Sequence, residues 1–409
     1  MADPAEADDV AEFFGTKKKA AAVLKHAVLA HYLPAFVAKT GRWAKNHQVV
    51  IIDGYAGAGR YSPGDAGSPA LIARTSLEKS LRERRIRALL VENDADTYCR
   101  LVEVMACEPA ADTFSYETFH GPVQSFMPAL LAQAAEFPAL MFLDPFGLGP
   151  NAGELTSIFA SRAKPAGGGR AQPTEVLLRF DARFISLVRG HLLKYQRGQS
   201  ERGTAALVQR MDRLVGGSWW QAGSSLSNAE FKRWMIAGYV DHLRTAIRGY
   251  AHQVPVTQSV GGDVKYYLVF LTLRPEGFFT FLETTSGAFE KWRRDLRNRP
   301  EDVYDDEDVE HWGITDEEML KEHEADEQQL QAGWISALEQ NIRGVLLRKS
   351  VFTLAEEYPA VFGDLLGYAR TKHLRAALIA LRNTGVLTAD LINFAREPWT
   401  KTIRATVPD

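Results

Sequence analysis

Three short stretches carry residue types that can hold a nucleotide-like ligand. Asp53-Gly54-Tyr55-Ala56-Gly57-Ala58-Gly59 sets a carboxylate ahead of a Gly-x-Gly turn. Glycines at such a turn let a ligand approach the backbone, because no Cβ stands in the way. Glu92-Asn93-Asp94 closes a second apolar run, where an acid can accept the hydroxyls of a ribose. Asp144-Pro145-Phe146-Gly147 closes a third with a carboxylate, a strand-breaking proline and an aromatic ring.

Each stretch needs a strand to present it. Val49-Val50-Ile51-Ile52 is too short for a helix and rich in β-branched residues, so it reads as a buried strand. Arg87 to Val91 and Pro138 to Leu143 read the same way, and Thr113–Phe119 and Thr174–Phe180 supply two more. Three acid-tipped strands in this order describe a ligand site at the carboxyl edge of a doubly wound parallel sheet. A dinucleotide fingerprint, Gly-x-Gly-x-x-Gly, fails at its third glycine, where Ser62 stands.

Helices fall between these runs. Thr16 is an N-cap for a helix from Lys17 towards Ala38, with Leu24, Val28, Tyr32 and Phe36 on one face. Ser68 as N-cap with Pro69 behind it starts another, running to Leu81. The region from Arg179 to Arg213 is the most basic of the chain, with Phe180, Phe184 and Tyr195 interleaved, so Arg183 and Lys194 are candidate contacts for nucleic acid. This insertion spans about residues 182–250, and Tyr266 to Leu273 is a later strand. The domain built on this sheet should close near 297, followed by an acidic linker over 298–330. Residues 331–409 read as a small winged-helix-like domain, whose helix would expose Lys372, His373, Arg375 and Arg382.

With 48 Lys+Arg against 51 Asp+Glu in 409 residues, net charge is only −3, so no global field points to a partner. The two cysteines, Cys99 and Cys107, match no zinc or redox spacing, which predicts no metal site and fits a reducing cytoplasm. No signal peptide and no run of about 20 apolar residues is present, so no membrane contact is expected.

The three tips resemble class I S-adenosylmethionine-dependent methyltransferases. That likeness implies a Rossmann-like α/β domain, a mostly parallel doubly wound sheet whose last strand is antiparallel. It also implies that Asp53, Gly54, Tyr55, Ala56, Gly57 and Gly59 surround the methionine moiety and that Glu92 and Asn93 take the ribose. The loop after the third strand, where the family often holds the adenine amine with an aspartate, has none; Gln124 stands there. Phe14-Gly15, Lys17, Lys25-His26, Tyr32-Leu33, the run Asp53 to Tyr61, Gly67-Ser68-Pro69 and Asp144 to Gly147 together resemble the three-Cys-motif partner protein family. This likeness covers about the first 300 residues and implies a separate partner protein bearing the three-cysteine motif. Asp-Pro-Phe-Gly alone is similar to tRNA guanine-N2 methyltransferases. The expectation is therefore N-methylation of a nucleobase, with Asp144, Pro145 and Phe146 at the reacting amine and Arg60 and Tyr61 among the substrate contacts. RNA, DNA and protein acceptors stay open, and so does a catalytically inactive adaptor that binds nucleic acid and the partner protein.

Overall fold

Strands whose both faces are covered must be apolar throughout, and the runs Val49–Ile52 and Ala139–Leu143 obey that rule, whereas the strand over Phe114–His120 is largely exposed and partly polar. In a computed structural model, which describes residues 20–61, 65–163, 171–199, 203–257, 262–297, 316–392, 394 and 397–406, Val49 to Ile52 are at most 1% exposed. They lie in β1 (Gln48–Asp53), flanked by β2 (Arg85–Glu92) and β4 (Ala139–Leu143), both parallel to it. With β3 (Phe114–His120), β5 (Thr174–Asp181), β6 (Tyr250–Thr257) and β7 (Val264–Thr272), they form a seven-stranded sheet of order β3-β2-β1-β4-β5-β7-β6. Only β7 runs against its neighbours, pairing antiparallel with both β5 and β6.

The register fixes the site. Asp53 is level with Leu90 of β2 and Phe142 of β4, so the ends of the three strands emerge together at one edge. The strand β6 was not foreseen from sequence. Its buried positions alternate irregularly and it contains Pro255, which an edge strand tolerates because one side of its backbone has no partner.

The helices of this unit are α1 (Ala20–Gly41), α2 (Ser68–Thr75), α3 (Ala95–Cys107), α4 (Val123–Gln133) and α5 (Ala152–Ala163). Three more, α6 (Ala182–Gln196), α7 (Thr204–Val215) and α8 (Asn228–Ile247), fill the basic insertion between β5 and β6. Leu24, Val28, Tyr32 and Phe36 are all buried, as their spacing predicts. The expected start of that helix, Thr16 to Lys19, lies outside the described residues, as does Ser62. Two local expectations change. Gly67, not Ser68, is the N-cap of α2, and the helix stops at Thr75, short of Leu81, before a separate 3-10 turn at Lys79–Leu81. Asp94 caps α3 by accepting from the Thr97 N–H at 2.9 Å.

The chain divides after Gly277 into two compact units, ahead of the boundary at 297 set from the sequence. The reason is α9 (Pro275–Arg297), whose aromatic side chains are spent on the second unit. Phe278 packs 5.1 Å from Tyr358, Phe279 stacks on Trp399 at 5.6 Å, and Phe289 stacks on Tyr368 at 4.8 Å, centroid to centroid. The end of the expected acidic linker is helical: α10 (Asp316–Leu346) begins within it, and its buried Glu327 pairs with Arg293. Residues 298–315 lie outside the described residues. The second unit continues with β8 (Val351–Thr353), α11 (Leu354–Phe362), α12 (Thr371–Asn383), β9 (Leu387–Ala389) and β10 (Thr402–Ala405), the strands forming a small antiparallel sheet β8-β10-β9.

Candidate active site at the carboxyl edge

The strand ends are stitched to one another by backbone bonds. Gly54 N–H donates to Phe142 O, Ala56 N–H to Val91 O and Gly121 N–H to Glu92 O, each at 2.9 Å. The turn after β1 is closely packed. A Cβ on Gly54 would stand 2.7 Å from Leu143 Cδ2, and one on Gly59 2.9 Å from Val104 Cγ1. Gly57 and Gly59 also have φ of 62° and 79°, a conformation in which a side chain is strained. Ala56 and Ala58 are buried beside them.

Glu92 reaches back to this turn. Its Oε2 accepts the Gly57 N–H at 2.9 Å and its Oε1 the Asp94 N–H at 2.8 Å. Burial pushes its pKa up, and the backbone donors work in the other direction. Asn93 beside it is exposed. Gln124 is exposed in the first turn of α4 and neighbours the Tyr55 hydroxyl, whose pKa burial pushes up to about 12.

Behind the tips lies a buried ionic cluster. Asp144, 8% exposed, takes the Lys25 ammonium on Oδ2, and Lys25 itself is only 6% exposed. The Arg179 guanidinium lies 3.6 Å from Asp144 Oδ1, which accepts no hydrogen bond. Burial alone would raise the Asp144 pKa, but Lys25 and Arg179 outweigh it and hold the carboxylate below its ordinary value. For Lys25, burial would lower the pKa; the Asp144 charge outweighs it and holds the ammonium above its ordinary value. Asp53 is fully buried. Its Oδ1 accepts from the Tyr55 N–H at 3.3 Å, and Oδ2 has no bond of proper geometry although the Ser68 hydroxyl favours the charge. Burial dominates and pushes its pKa up to about 7.

Arg179 also builds the wall of the site. Its guanidinium lies 4.7 Å from the Tyr266 ring centroid and 5.9 Å from that of Phe146, and donates to the Pro145 carbonyl at 3.4 Å. Asp181 holds it from the far side at 3.4 Å. Phe146 is 49% exposed, so one aromatic surface at this tip is open. Tyr61 is buried beside Lys25, and its ring lies 5.4 Å from that of His26.

The fold thus gathers Asp53, Tyr61, Asp144, Pro145 and Phe146 around Lys25, Arg179 and Tyr266. It does not bring in Arg60, whose guanidinium goes to the buried Glu108 together with that of Arg74. Arg183 starts α6 against Asp181 with its side chain 75% exposed, and Lys194 is exposed in the last turn of the same helix. In the second unit, Lys372 donates to Gln331 at 2.9 Å and Arg375 is exposed. His373 corrects an expectation: it is 2% exposed, accepts the Arg370 N–H on Nδ1 at 2.9 Å and lies in an edge contact with Trp334.

Sequence reasoning placed none of Lys25, Arg179, Ser68 and Tyr266 in this site. Lys25 carried a signal, since it falls in line with Leu29 and Tyr32 on a buried stripe of α1, where a lysine requires a partner. Among the described residues no cluster of His, Cys, Asp and Glu is arranged to hold a metal, and no helix is long and apolar enough to cross a membrane. No family model matches the chain, and no curated protein matches it.

Proposed function

We propose that the chain is an S-adenosylmethionine-dependent methyltransferase acting on the amino group of a nucleobase, in RNA rather than DNA. The observation that carries this reading is Asp144 Oδ1: a buried acceptor with no hydrogen bond, on a carboxylate kept ionised by two cations, beside a half-exposed ring. A flat exocyclic amine can donate to that oxygen and to the Pro145 carbonyl while its ring stacks on Phe146. Lys25 holds Oδ2, so the carboxylate cannot turn away. The residues around the turn fit the cofactor: a close-packed glycine backbone, the Asp53 carboxylate for the methionine end, Glu92 for the ribose and Gln124 near the adenine. Bound there, S-adenosylmethionine would supply an activated methyl group, and positioning is then the chain's main task. The reversed β7, set between β5 and β6, supports the same reading.

In the second unit, Lys372, Arg375, Ile379 and Arg382 follow one another along the outer face of α12. The order of α10, β8, α11, α12, β9 and β10 supports a winged-helix reading of this unit, with α12 against nucleic acid. A second function is favoured by one observation: Glu92 and Asp144 already have partners within the chain. On that reading the protein is an adaptor that binds nucleic acid and a three-cysteine-motif protein without transferring methyl groups.

The test is transfer of tritiated methyl from S-adenosylmethionine to pooled RNA and DNA by the parent, Asp144→Asn and Phe146→Ala. Asp144→Asn should lose about a hundredfold in rate, the scale of one lost transition-state contact, with cofactor affinity kept. An undiminished rate in that variant would remove Asp144 from the reaction.

A further inference from the structure

The opposite edge of the sheet carries features that the site above does not use. Four helix-to-strand connections meet there, between α1 and β1, α2 and β2, α3 and β3, and α4 and β4. Ligands of doubly wound sheets bind at the carboxyl edge, so the fold itself demands nothing at this one. Yet Trp43 is 82% exposed, with the Arg42 guanidinium 4.9 Å from its ring centroid. Three residues on, Asn46 and His47 have φ of 54° and 56°, two consecutive non-glycine residues in a left-handed conformation. Such strain persists where the surroundings impose it and gathers at functional positions. Together with Gln48, Glu83, Arg85 and Thr113 they line an open groove, in which the Thr113 hydroxyl has no hydrogen-bond partner.

The charge around the groove is positive. Arg42, Lys45, Lys79, Arg82 and Arg84 on these connections and Arg85 at the start of β2 stand against Glu78, Glu83, Glu108, Asp112 and Glu136. Three of the acids are already engaged, Glu83 by Arg84 at 3.7 Å, Glu136 by Lys45 at 2.5 Å and Glu108 by Arg60 and Arg74. An exposed ring with an arginine on its face, three residues along the chain from a polar groove and with only Leu77 as another large exposed apolar side chain on these connections, lacks the charge-depleted apolar core that a protein partner would require. It is the combination that holds a single strand: a face on which any base stacks and cations that follow the phosphates.

We propose that this amino edge is a binding site for single-stranded nucleic acid, separate from the carboxyl-edge site, in which a base stacks on Trp43. A base arriving on that ring displaces Arg42, whose guanidinium then turns to the neighbouring phosphate. Arg82 and Arg85 continue the phosphate track along the start of β2, and the groove at Asn46 and His47 takes the next nucleotide.

The experiment is fluorescence anisotropy of a labelled oligouridine of about 20 nucleotides, long enough to cover one such site, titrated with the full chain at several salt concentrations. No cofactor is added, so the result does not depend on methyl transfer. Trp43→Ala should weaken binding about tenfold, with the salt dependence unchanged. Arg85→Ala should lower the slope of log affinity against log salt by about one. Both residues are exposed, so the variants should melt with the parent. Absence of oligouridine binding by the parent overturns the proposal. Equal binding by parent and both variants overturns it too, and leaves the ring and its groove to a protein partner.

Discussion

Replacing Asp53 with asparagine should stabilise the protein at alkaline pH and do so much less at acidic pH. In the fold this carboxyl has a pKa of about 7, against an ordinary value of 3.8. The native state therefore keeps a proton that the unfolded chain releases, and the stability contributed by this group declines as pH rises through 7. At about 1.4 kcal/mol per pH unit, the rise makes the ionised form cost about 4 kcal/mol above pH 7. Asparagine keeps the shape of the protonated acid and carries no charge, so it avoids that cost. For a unit of this size 1 kcal/mol moves the melting temperature by about 2 °C. Differential scanning fluorimetry of parent and Asp53→Asn at pH 5 and pH 8 reads the difference. The variant should melt about 8 °C above the parent at pH 8 and only about 3 °C above it at pH 5. Equal shifts at the two pH values would refute the argument that burial controls this carboxyl.

Lys25→Met should destabilise the protein by about 3 kcal/mol, because it removes the principal counter-charge of the buried Asp144, and Lys25→Met/Asp144→Leu should recover most of that loss in chemical denaturation. Tyr32→Phe removes the hydroxyl that donates to Glu175 at 2.5 Å. That carboxyl is pushed by burial to about 7, so the loss, about 1 to 3 kcal/mol, should be larger at pH 8 than at pH 5, when melting is followed at both. Gly59→Ala places a Cβ 2.9 Å from Val104 at a φ of 79° and should cost about 1 to 3 kcal/mol in the same denaturation series.

How much of this was legible depended on the range of the interaction. The apolar runs of β1, β2, β4 and β5 state their own burial, and the three acid tips follow once those strands are adjacent. Local chemistry also told where helices begin, as Ser68-Pro69 at the start of α2 illustrates. What escaped was set by distant partners. Lys25 and Asp144 are 119 positions apart and Tyr32 and Glu175 143 apart, so no local pattern links them. Arg60 looked like a substrate contact because it follows the glycine turn, yet Glu108 claims it from the end of α3. The aromatic run Phe278 to Phe281 looked like part of the first domain, but its partners, Tyr358 and Trp399, lie in the second unit. His373 looked exposed until Gln331 and Trp334 of α10 covered it.

The central claim is that the turn after β1 and Glu92 form a cofactor site. Calorimetric titration of the purified chain with S-adenosylmethionine and S-adenosylhomocysteine, in parallel with Glu92→Ala, tests it most directly. The account predicts micromolar binding to the parent, and its loss in the variant while the fold, read by circular dichroism, is kept. No heat of binding to a folded parent protein, or equal affinity in Glu92→Ala, would contradict it.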